Sequence, residues 1–390
     1  MYRFVVAPSG MKESLSAAEA AEAIAEGLLR AVPDAVVDLL PLVDGGEGTA
    51  RALAAAAGGR LVPRLATGPV GDPVDTHFAL LPDAPGAPGT AVVEMAAVAG
   101  LALVPAGRRD PTATTTRGVG ELLRAALDTG ARRVLVGCGD SGTSDGGAGA
   151  LQALGARLLD ARGRELPPGG GALRRLARID ATGLDPRLKD TEITVAVNPH
   201  NVLCGPRGVA RVFGPQKGAT PAQTEELSAA LDHWAEILER DLGPLDVDLR
   251  GGAGTGASGG LGAGLAALGA RLQPRFRVFL DHLDLDATLA GADLVVTAEG
   301  ALDAQTPFGK IPGEVARRAR AHGVPVLALA GTIGEGAREL HLTGVDAYSG
   351  ILPAPVGLPE ALARGGEFLA DAAERALRMV LIGSRLAARA

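Results

Sequence analysis

Apolar positions at the start of the chain fall into short continuous runs separated by a stretch with helical spacing. The run 2–7 is short and apolar, as in a buried strand. Ser16 and Glu19 form a capping-box pattern, and the apolar residues after them recur at helical spacing as far as Pro33. The run 36–42 indicates a second strand. Two buried strands joined through a helix predict a parallel βαβ unit.

The last hundred residues repeat this pattern. A buried strand is predicted over 293–297, a helix over 311–322 and another strand over 324–330. A long final helix is predicted over 359–381. Both ends of the chain therefore favour the same parallel α/β architecture.

The middle of the chain is different, because its strands are shorter and one long loop separates them. The runs 77–81 and 91–95 indicate strands of a mixed sheet. We therefore predict an α/β fold with one parallel-sheet domain formed by residues 1–66 and 287–390. Residues 67–286 are predicted to form an inserted second α/β domain. A chain of 390 residues exceeds what one hydrophobic core usually supports, which agrees with two domains.

Composition excludes several classes of protein. Apolar residues make up 47% of the chain and aromatic residues only 3%, so the core must be built from Ala, Val and Leu. The net charge of −7, with no basic patch, argues against a nucleic-acid partner. No stretch could span a bilayer, no signal pattern opens the chain, and two cysteines cannot form a disulfide framework. We expect a cytoplasmic protein with no membrane partner, and we allow for a homodimer.

Four glycine-rich loops carry most of the candidate chemistry. They cover residues 44–49, 137–147, 251–264 and 299–310, and each leads into a predicted helix. Glycine lets backbone amides approach a ligand closely, and a helix N-terminus attracts anions. The loops therefore predict a phosphorylated or carboxylated ligand. The alternative for any one of them is an ordinary tight turn.

A dinucleotide-binding site is the strongest competing interpretation. The pattern G-x-G-x-x-G occurs at 137–142 and again at 254–259, and Asp160 follows the first match by about twenty residues. That combination would indicate an NAD(P)-dependent oxidoreductase. The first match lies in the middle of the chain, however, and its loop carries more polar groups than a pyrophosphate turn needs, such as Ser141 and Thr143.

The positions of the lysines suggest phosphate binding. Only four of the 38 Lys and Arg residues are lysine. Lys12, Lys217 and Lys310 each lie in or beside a loop rich in Gly, Pro or polar residues, whereas Lys189 lies in a polar turn typical of the surface. A compact ammonium can reach a phosphate oxygen where a guanidinium does not fit. The alternative is chance retention at the surface.

Acidic residues in the same loops are candidates for the two tasks of carboxylates in a kinase. One task is to hold Mg²⁺ against the phosphates, and the other is to orient or deprotonate the attacking hydroxyl. The candidates are Asp44, Glu47, Asp145, Glu299 and Asp303. Helix capping is the alternative for Glu47 and Asp145, which stand at predicted helix starts.

Taken together, the motifs resemble the bacterial glycerate kinases over essentially the whole chain. The matching segments, in chain order, are 7–17, 44–49, 139–147, 203–219 and 293–312. The resemblance implies ATP-dependent phosphorylation of D-glycerate to a phosphoglycerate, with Mg²⁺. It also implies a Rossmann-like domain formed by both chain ends, an inserted α/β domain and an active site in the cleft between the two.

On these grounds we assign candidate site residues. The catalytic candidates are Lys12, Asp44, Asp145, Asp303 and Lys310. The candidates for binding substrate or nucleotide are Ser9, Gly45, Glu47, Ser141, Thr143, Asn198, Asn201, Lys217, Gln305 and Thr306. The candidate metal ligands are Glu299 and Asp303.

The chain departs from the family pattern at four positions. Ser9 and Asn198 stand where the family usually has acids, Ser144 where it has Asn, and Ala298 where it has Gly. Two carboxylates are therefore replaced by uncharged hydrogen-bonding residues, and such sites discriminate strongly between close analogues. Three enzyme hypotheses remain open: a D-glycerate kinase, a kinase of the same fold for another small hydroxy acid, and a dinucleotide-dependent oxidoreductase. A binding protein without activity is a fourth possibility.

Overall fold

The computed structural model describes residues 1–11, 13–82, 89–280, 283 and 285–387. Its β-strands are β1 Arg3–Val6, β2 Val36–Leu39, β3 Arg60–Thr67, β4 Pro73–Leu81, β5 Thr90–Glu94, β6 Arg133–Gly137, β7 Arg157–Asp160, β8 Leu176–Asp180, β9 Glu192–Val197, β10 Arg271–Pro274, β11 Leu294–Leu302, β12 Val326–Ile333 and β13 Ala347–Gly350. Its α-helices are α1 Ala17–Ala31, α2 Thr49–Ala57, α3 Ala96–Ala99, α4 Arg117–Asp128, α5 Ala148–Ala153, α6 Val209–Phe213, α7 Pro221–Leu242, α8 Ala257–Ala266, α9 Arg275–Leu280, α10 Leu285–Leu289, α11 Ile311–Ala321, α12 Leu340–Thr343, α13 Leu358–Ala363 and α14 Gly365–Ala387.

The chain divides into two compact units. Met1–Asp44 and Leu280–Ala390 form one, called the split unit here, and Gly45–Phe279 form the inserted unit. The expected boundary at residue 66 differs from this division, because 45–66 belong with the inserted unit. The reason is strand pairing: β3 pairs antiparallel with β4 along its whole length, and α2 packs on both strands.

The split unit contains a five-stranded sheet in which every pairing is parallel. The strand order is β13-β12-β11-β1-β2. From the neighbouring pair β1 and β11, the chain winds outward in opposite directions, to β2 on one side and to β12 and β13 on the other. This arrangement confirms the predicted α/β class, and it places a topological switch point between β1 and β11.

Helices α1 and α14 pack together over this sheet. The predicted capping box is present, since the Ser16 side chain accepts from the Glu19 amide and the Glu19 side chain accepts from the Ser16 amide. The single final helix expected over 359–381 is instead two helices, α13 and α14. Arg364 lies between them with φ of −109°, outside helical geometry, and a pair of glycines follows it.

The inserted unit is built on a six-stranded mixed sheet. Its order is β10-β9-β6-β5-β4-β3, with β3, β4 and β5 joined antiparallel and the remaining pairs parallel. Strands β7 and β8 form a separate antiparallel pair. The single tryptophan, Trp234, is fully buried on α7, and its indole Nε1 donates to the carbonyl oxygen of Gly146 at 2.9 Å. It therefore supports the second glycine-rich loop from beneath.

No helix in the described part of the chain is both long enough and apolar enough to cross a membrane.

Two helical glycines provide a matched test of the α1–α14 packing. A Cβ at Gly27 would lie 2.0 Å from the carbonyl oxygen of Ala370, whereas a Cβ at Gly383 would meet nothing within 4 Å. We expect Gly27→Ala to lower the free energy of unfolding by about 1–3 kcal/mol through overpacking. Gly383→Ala should leave it unchanged or raise it by up to about 1 kcal/mol, because alanine favours helix. Urea unfolding followed by circular dichroism measures both, and equal effects would contradict this account of the packing.

Candidate active site

In the split unit, the candidate residues gather at the carboxyl ends of β1 and β11. The Ser9 amide donates to the carbonyl oxygen of Ala298 at 2.8 Å, and the Ser9 hydroxyl donates to the same oxygen at 3.1 Å. Ser9 therefore lies beside Ala298 of β11, the residue directly before Glu299. Open parallel sheets bind their ligands at such a switch point, beyond the carboxyl ends of the strands.

The fourth glycine-rich loop brings one lysine between two acids. The Lys310 Nζ lies 3.2 Å from Asp303 Oδ1 and Oδ2 and 3.9 Å from Glu299 Oε1. Burial alone would raise the pKa of Asp303, but the Gln305 amide and the Lys310 ammonium lower it overall. The Lys310 side chain keeps 24% of its surface exposed, so a ligand can reach it.

The shape of this loop depends on Thr306. Thr306 is fully buried, and its hydroxyl accepts from the Asp303 amide at 3.0 Å. The Gln305 amide donates to Asp303 Oδ1 at 2.8 Å, while the Gln305 side chain is exposed. Thr306 therefore stabilises the loop conformation from a buried position, whereas the Gln305 side chain faces solvent.

In the inserted unit, the first two glycine-rich loops touch backbone to backbone. A Cβ at Gly139 would lie 2.5 Å from the Cα of Gly46, so no larger residue fits there. Asp140 follows with φ of +48°, a left-handed conformation that costs energy for a residue other than glycine. Its carboxylate accepts from the Glu47 amide at 3.2 Å, and the Glu47 side chain is exposed.

Glu94 holds the first loop from behind, and the sequence interpretation missed it. This side chain at the end of β5 is 1% exposed, and its two oxygens accept from the amides of Gly48 and Ala50 at 2.9 Å each. Burial raises the pKa of Glu94 to about 7, the two amides oppose the shift, and the charges of Glu47 and Asp140 add to it. A signal was available, because Glu94 is an acid at the end of the otherwise uncharged strand β5.

Asp145 occupies a similar position in the second loop. Its buried carboxylate accepts from the amides of Thr116, Gly147 and Gly149 and from the Thr116 hydroxyl, at 2.8–3.1 Å. Burial raises the pKa of this carboxyl, and the four donors act in the opposite direction. The carboxylate thus connects the starts of α4 and α5. This geometry favours the helix-capping alternative for Asp145.

Lys217 is buried behind the same loop. Only 2% of it is exposed, and its Nζ donates to Ser141 Oγ at 2.9 Å and to the Thr143 carbonyl oxygen at 2.6 Å. Burial lowers the pKa of Lys217 to about 7, while the charge of Asp145 raises it. Thr143 is itself fully buried, whereas Ser141 is partly exposed.

Two asparagines follow β9 at the same edge of this sheet. Asn198 is partly exposed, and its Oδ1 accepts from the His200 amide at 3.1 Å. The Asn201 amide donates to the Asn198 carbonyl oxygen at 3.1 Å, and the Asn201 carbonyl oxygen accepts from Gly256 at 3.0 Å. A compact turn therefore holds both residues beyond the end of a parallel strand.

The remaining candidates complete two sets, one in each unit. Lys12 lies outside the described residues, Asp44 is the partly buried last residue before the inserted unit, and Gly45 is buried. Each set lies at the carboxyl edge of the parallel strands of its own unit. The use of both sets by one active site stays a prediction.

Comparison with known proteins decides between the kinase and the oxidoreductase interpretations. The sequence model described as the Glycerate kinase family matches residues 4–381. The chain belongs to the glycerate kinase family. The resemblance inferred from the motifs is thereby confirmed, as is the enzyme class of phosphotransferases that act on a hydroxyl group.

Glycerate kinase relatives align over almost the entire chain. A glycerate kinase of Bacillus subtilis (strain 168) is 45% identical, covering 99% of this chain and 98% of its own. A glycerate 2-kinase of Escherichia coli (strain K12) is 42% identical, covering 98% and 99%. The crystal structure of a candidate glycerate kinase 2 from Salmonella typhimurium LT2 has a TM-score of 0.79 at 43% identity, covering 99% of this chain and all of its own.

The dinucleotide-binding interpretation finds no support in this family or in the geometry. Asp160, its proposed ribose ligand, accepts from the amides of Arg162 and Arg164 and pairs with the Arg164 side chain. The helix α5 that would receive a pyrophosphate already has its first amides bonded to Asp145. The glycine pattern at 137–142 reflects close loop packing instead.

Glu94 makes folding stability depend on pH. The folded carboxyl keeps its proton up to about pH 7, whereas its ordinary pKa is 4.5, so its contribution is present below pH 4.5 and is lost as the pH rises through 7. We expect the free energy of unfolding of the wild type, relative to Glu94→Gln, to fall by about 3 kcal/mol over this range. Denaturant unfolding from pH 4.5 to 8 measures it. The exposed Glu22→Gln is the control, and a flat difference for Glu94→Gln would refute the assignment.

Proposed function

We propose that this chain transfers the terminal phosphoryl group of ATP to a hydroxyl of D-glycerate. The observation that carries the proposal is the placement of Lys310 between Asp303 and Glu299 at the switch point of a parallel sheet. Phosphoryl transfer needs positioning and charge stabilisation more than covalent chemistry by the protein. A partly exposed ammonium held by two carboxylates supplies both requirements.

In this proposal Lys310 contacts the phosphate oxygens of ATP. Its Nζ donates to the Asp303 carboxylate at 3.2 Å and to the Ala301 carbonyl oxygen at 3.4 Å, so the ammonium is oriented before any ligand arrives. An ammonium fixed in this way stabilises negative charge on the transferred group without reorganising during the reaction. The exposed side chain of Gln305 lies in the same loop and is proposed to bind the nucleotide.

Glu299 and Asp303 are the residues proposed to hold Mg²⁺. Both are carboxylates, which are the ligands that Mg²⁺ prefers, and one or two protein carboxylates suffice where phosphates complete the coordination. Within the described ranges no group of three or more His, Cys, Asp or Glu residues is arranged to hold a metal ion, which agrees with a site shared with ATP. The bound ion would neutralise charge on the phosphates.

The acceptor is proposed to contact polar groups of the inserted unit. Ser141, Asn198 and Asn201 stand beyond the carboxyl ends of β6 and β9, and hydroxyl and amide groups there can bind the hydroxyls and carboxylate of a small acid. We assign Asp44 rather than Asp145 as the carboxylate that accepts the proton of the attacking hydroxyl. Asp145 is fully buried, and its oxygens are used to cap helices. Asp44 is partly exposed.

A coupled assay of ADP formation with purified protein, Mg²⁺ and D-glycerate tests the activity and the role of Lys310 together. The wild type should turn over, and Lys310→Ala should lower kcat by about a hundredfold or more, as expected for loss of one preorganised electrostatic group. The exposed Lys189→Ala is the matched control and should retain full activity.

Product analysis accompanies this assay. Because the Escherichia coli relative is named a glycerate 2-kinase, 2-phosphoglycerate is the expected product. Absence of ADP formation with D-glycerate would refute the proposed acceptor. A folded Lys310→Ala protein with wild-type kcat would refute the role of the lysine.

A second candidate function is phosphorylation of a different small hydroxy acid. Ser9 and Asn198 stand where the family resemblance implies acids, and an uncharged pocket repels an anionic acceptor less. Both positions can accept a carboxylate locally: Ser9 is partly exposed, and Asp at 198 could keep the hydrogen bond from the His200 amide.

The double change Ser9→Asp with Asn198→Asp tests this candidate. We expect kcat/KM for D-glycerate to rise about tenfold relative to the best acceptor in a screen of hydroxy acids, as one charged contact can shift specificity by this amount. If kcat/KM instead rises equally for all acceptors and Mg²⁺ is bound more tightly, the acids usual in the family at these two positions are metal ligands that this chain lacks. If neither preference nor metal dependence moves, the substitutions have no effect on specificity.

A further inference from the structure

Lys217 reaches the second glycine-rich loop because a tight turn directs it inward. Pro215–Lys217 form a 3₁₀ turn, in which the Lys217 amide donates to the Gly214 carbonyl oxygen at 3.0 Å. Gly218 follows with φ of +100°, and a Cβ there would lie 2.4 Å from the carbonyl oxygen of Arg109. The turn therefore packs tightly against its neighbours and leaves the lysine little freedom to point elsewhere.

The Lys217 ammonium determines how the Ser141 hydroxyl can be used. In its ammonium form Lys217 can only donate, so Ser141 Oγ is the acceptor in their 2.9 Å hydrogen bond. Among the hydrogen bonds of the described residues, none uses the Ser141 hydroxyl as a donor. Ser141 is partly exposed, so its O–H is left to donate toward solvent or a ligand.

The backbone around Ser141 is already fixed without the lysine. The Gly142 amide donates to the Ala99 carbonyl oxygen at 2.9 Å, and the Leu101 amide donates to the Asp140 carbonyl oxygen at 2.8 Å. These two bonds hold the loop on both sides of Ser141. The backbone bonds therefore anchor the loop, and the contact with Lys217 orients the Ser141 hydroxyl.

We propose that Lys217 is a positioning residue that acts through Ser141, whose hydroxyl donates a hydrogen bond to an anionic oxygen of a substrate. At 2% exposure Lys217 cannot itself contact a ligand. A donor that is hydrogen-bonded to a cation is polarised and binds anions more strongly. The anionic oxygen belongs either to the carboxylate of the acceptor or to a phosphate of ATP, and the kinetic arms of the test distinguish these sources.

The inference rests on the proposed phosphoryl transfer, and a double-mutant cycle tests it. The variants are Ser141→Ala, Lys217→Met and the combination, with Lys189→Met as an exposed control. Ser141→Ala should lower kcat/KM by about 10- to 100-fold, as for loss of one hydrogen bond to a charged group. Lys217→Met should lower kcat/KM at least as much as Ser141→Ala does when it is made in the wild type. Made in the Ser141→Ala variant, it should lower kcat/KM less than about threefold, because the effects of coupled residues are not additive.

The Michaelis constants identify the ligand. A rise in KM for D-glycerate alone assigns the contact to the acceptor carboxylate, and a rise for ATP alone assigns it to a phosphate. Ser141→Thr, which keeps the hydroxyl, should recover most of the activity and restore the sensitivity to Lys217→Met. Independent losses that multiply in the double variant would overturn the proposal, because they would mean that Lys217 supports the fold or the ligand without Ser141.

Two further measurements keep the proposal falsifiable. The rise in Tm on adding ATP with Mg²⁺ or D-glycerate reports binding without turnover, so an inactive wild type would refute the proposed function while the cycle could still be measured. If Lys217→Met does not fold, Lys217→Gln replaces it, since glutamine keeps a neutral donor. Wild-type kinetics and wild-type ligand-induced Tm shifts for Ser141→Ala alone would overturn the proposal whatever the Lys217 variants do.

Discussion

Buried ionisable side chains that are hydrogen-bonded to backbone groups hold the glycine-rich loops of the inserted unit in one conformation. These loops have few apolar side chains of their own, so hydrophobic contacts alone do not order them. Glu94 and Asp145 instead accept from backbone amides at helix starts, and Lys217 donates to the loop between them. Burying a polar or charged group is costly unless it is hydrogen-bonded, so these groups specify a single loop conformation. Partly exposed neighbours such as Ser141 then stand in defined positions.

The same interactions show which helix N-termini have amides available to an anion and which have amides already bonded to a carboxyl group of the protein. A glycine-rich turn before a helix suggests a phosphate site, yet the first amides of α2 and α5 are bonded to Glu94 and Asp145. The loop after β11 differs, because its lysine is partly exposed and forms ion pairs with Asp303 and Glu299 at the switch point. Phosphate chemistry is therefore better supported at this loop than at the loops of the inserted unit.

Local patterns in the sequence predicted many of the elements but not all of them, and not all of their partners. The capping box at Ser16 and four of the five strands of the split unit depend on neighbouring residues, so spacing reveals them, whereas β13 was not predicted. The expected boundary at residue 66 falls within β3, a strand that was not predicted, because its identity depends on pairing with β4. Likewise, spacing places Lys217 in a polar loop, whereas only the tertiary fold shows that the side chain points inward and is buried.

The chain enters and leaves the inserted unit at residues that touch each other. A Cβ on Gly45, the first residue of that unit, would lie 3.1 Å from the ring of Phe279, the last. A segment with adjacent ends can be inserted into another domain, or joined end to end and reopened elsewhere, without stretching its own core. Gly45–Phe279 thus has the form of a self-contained module, one whose two ends fit a single point of insertion in another chain.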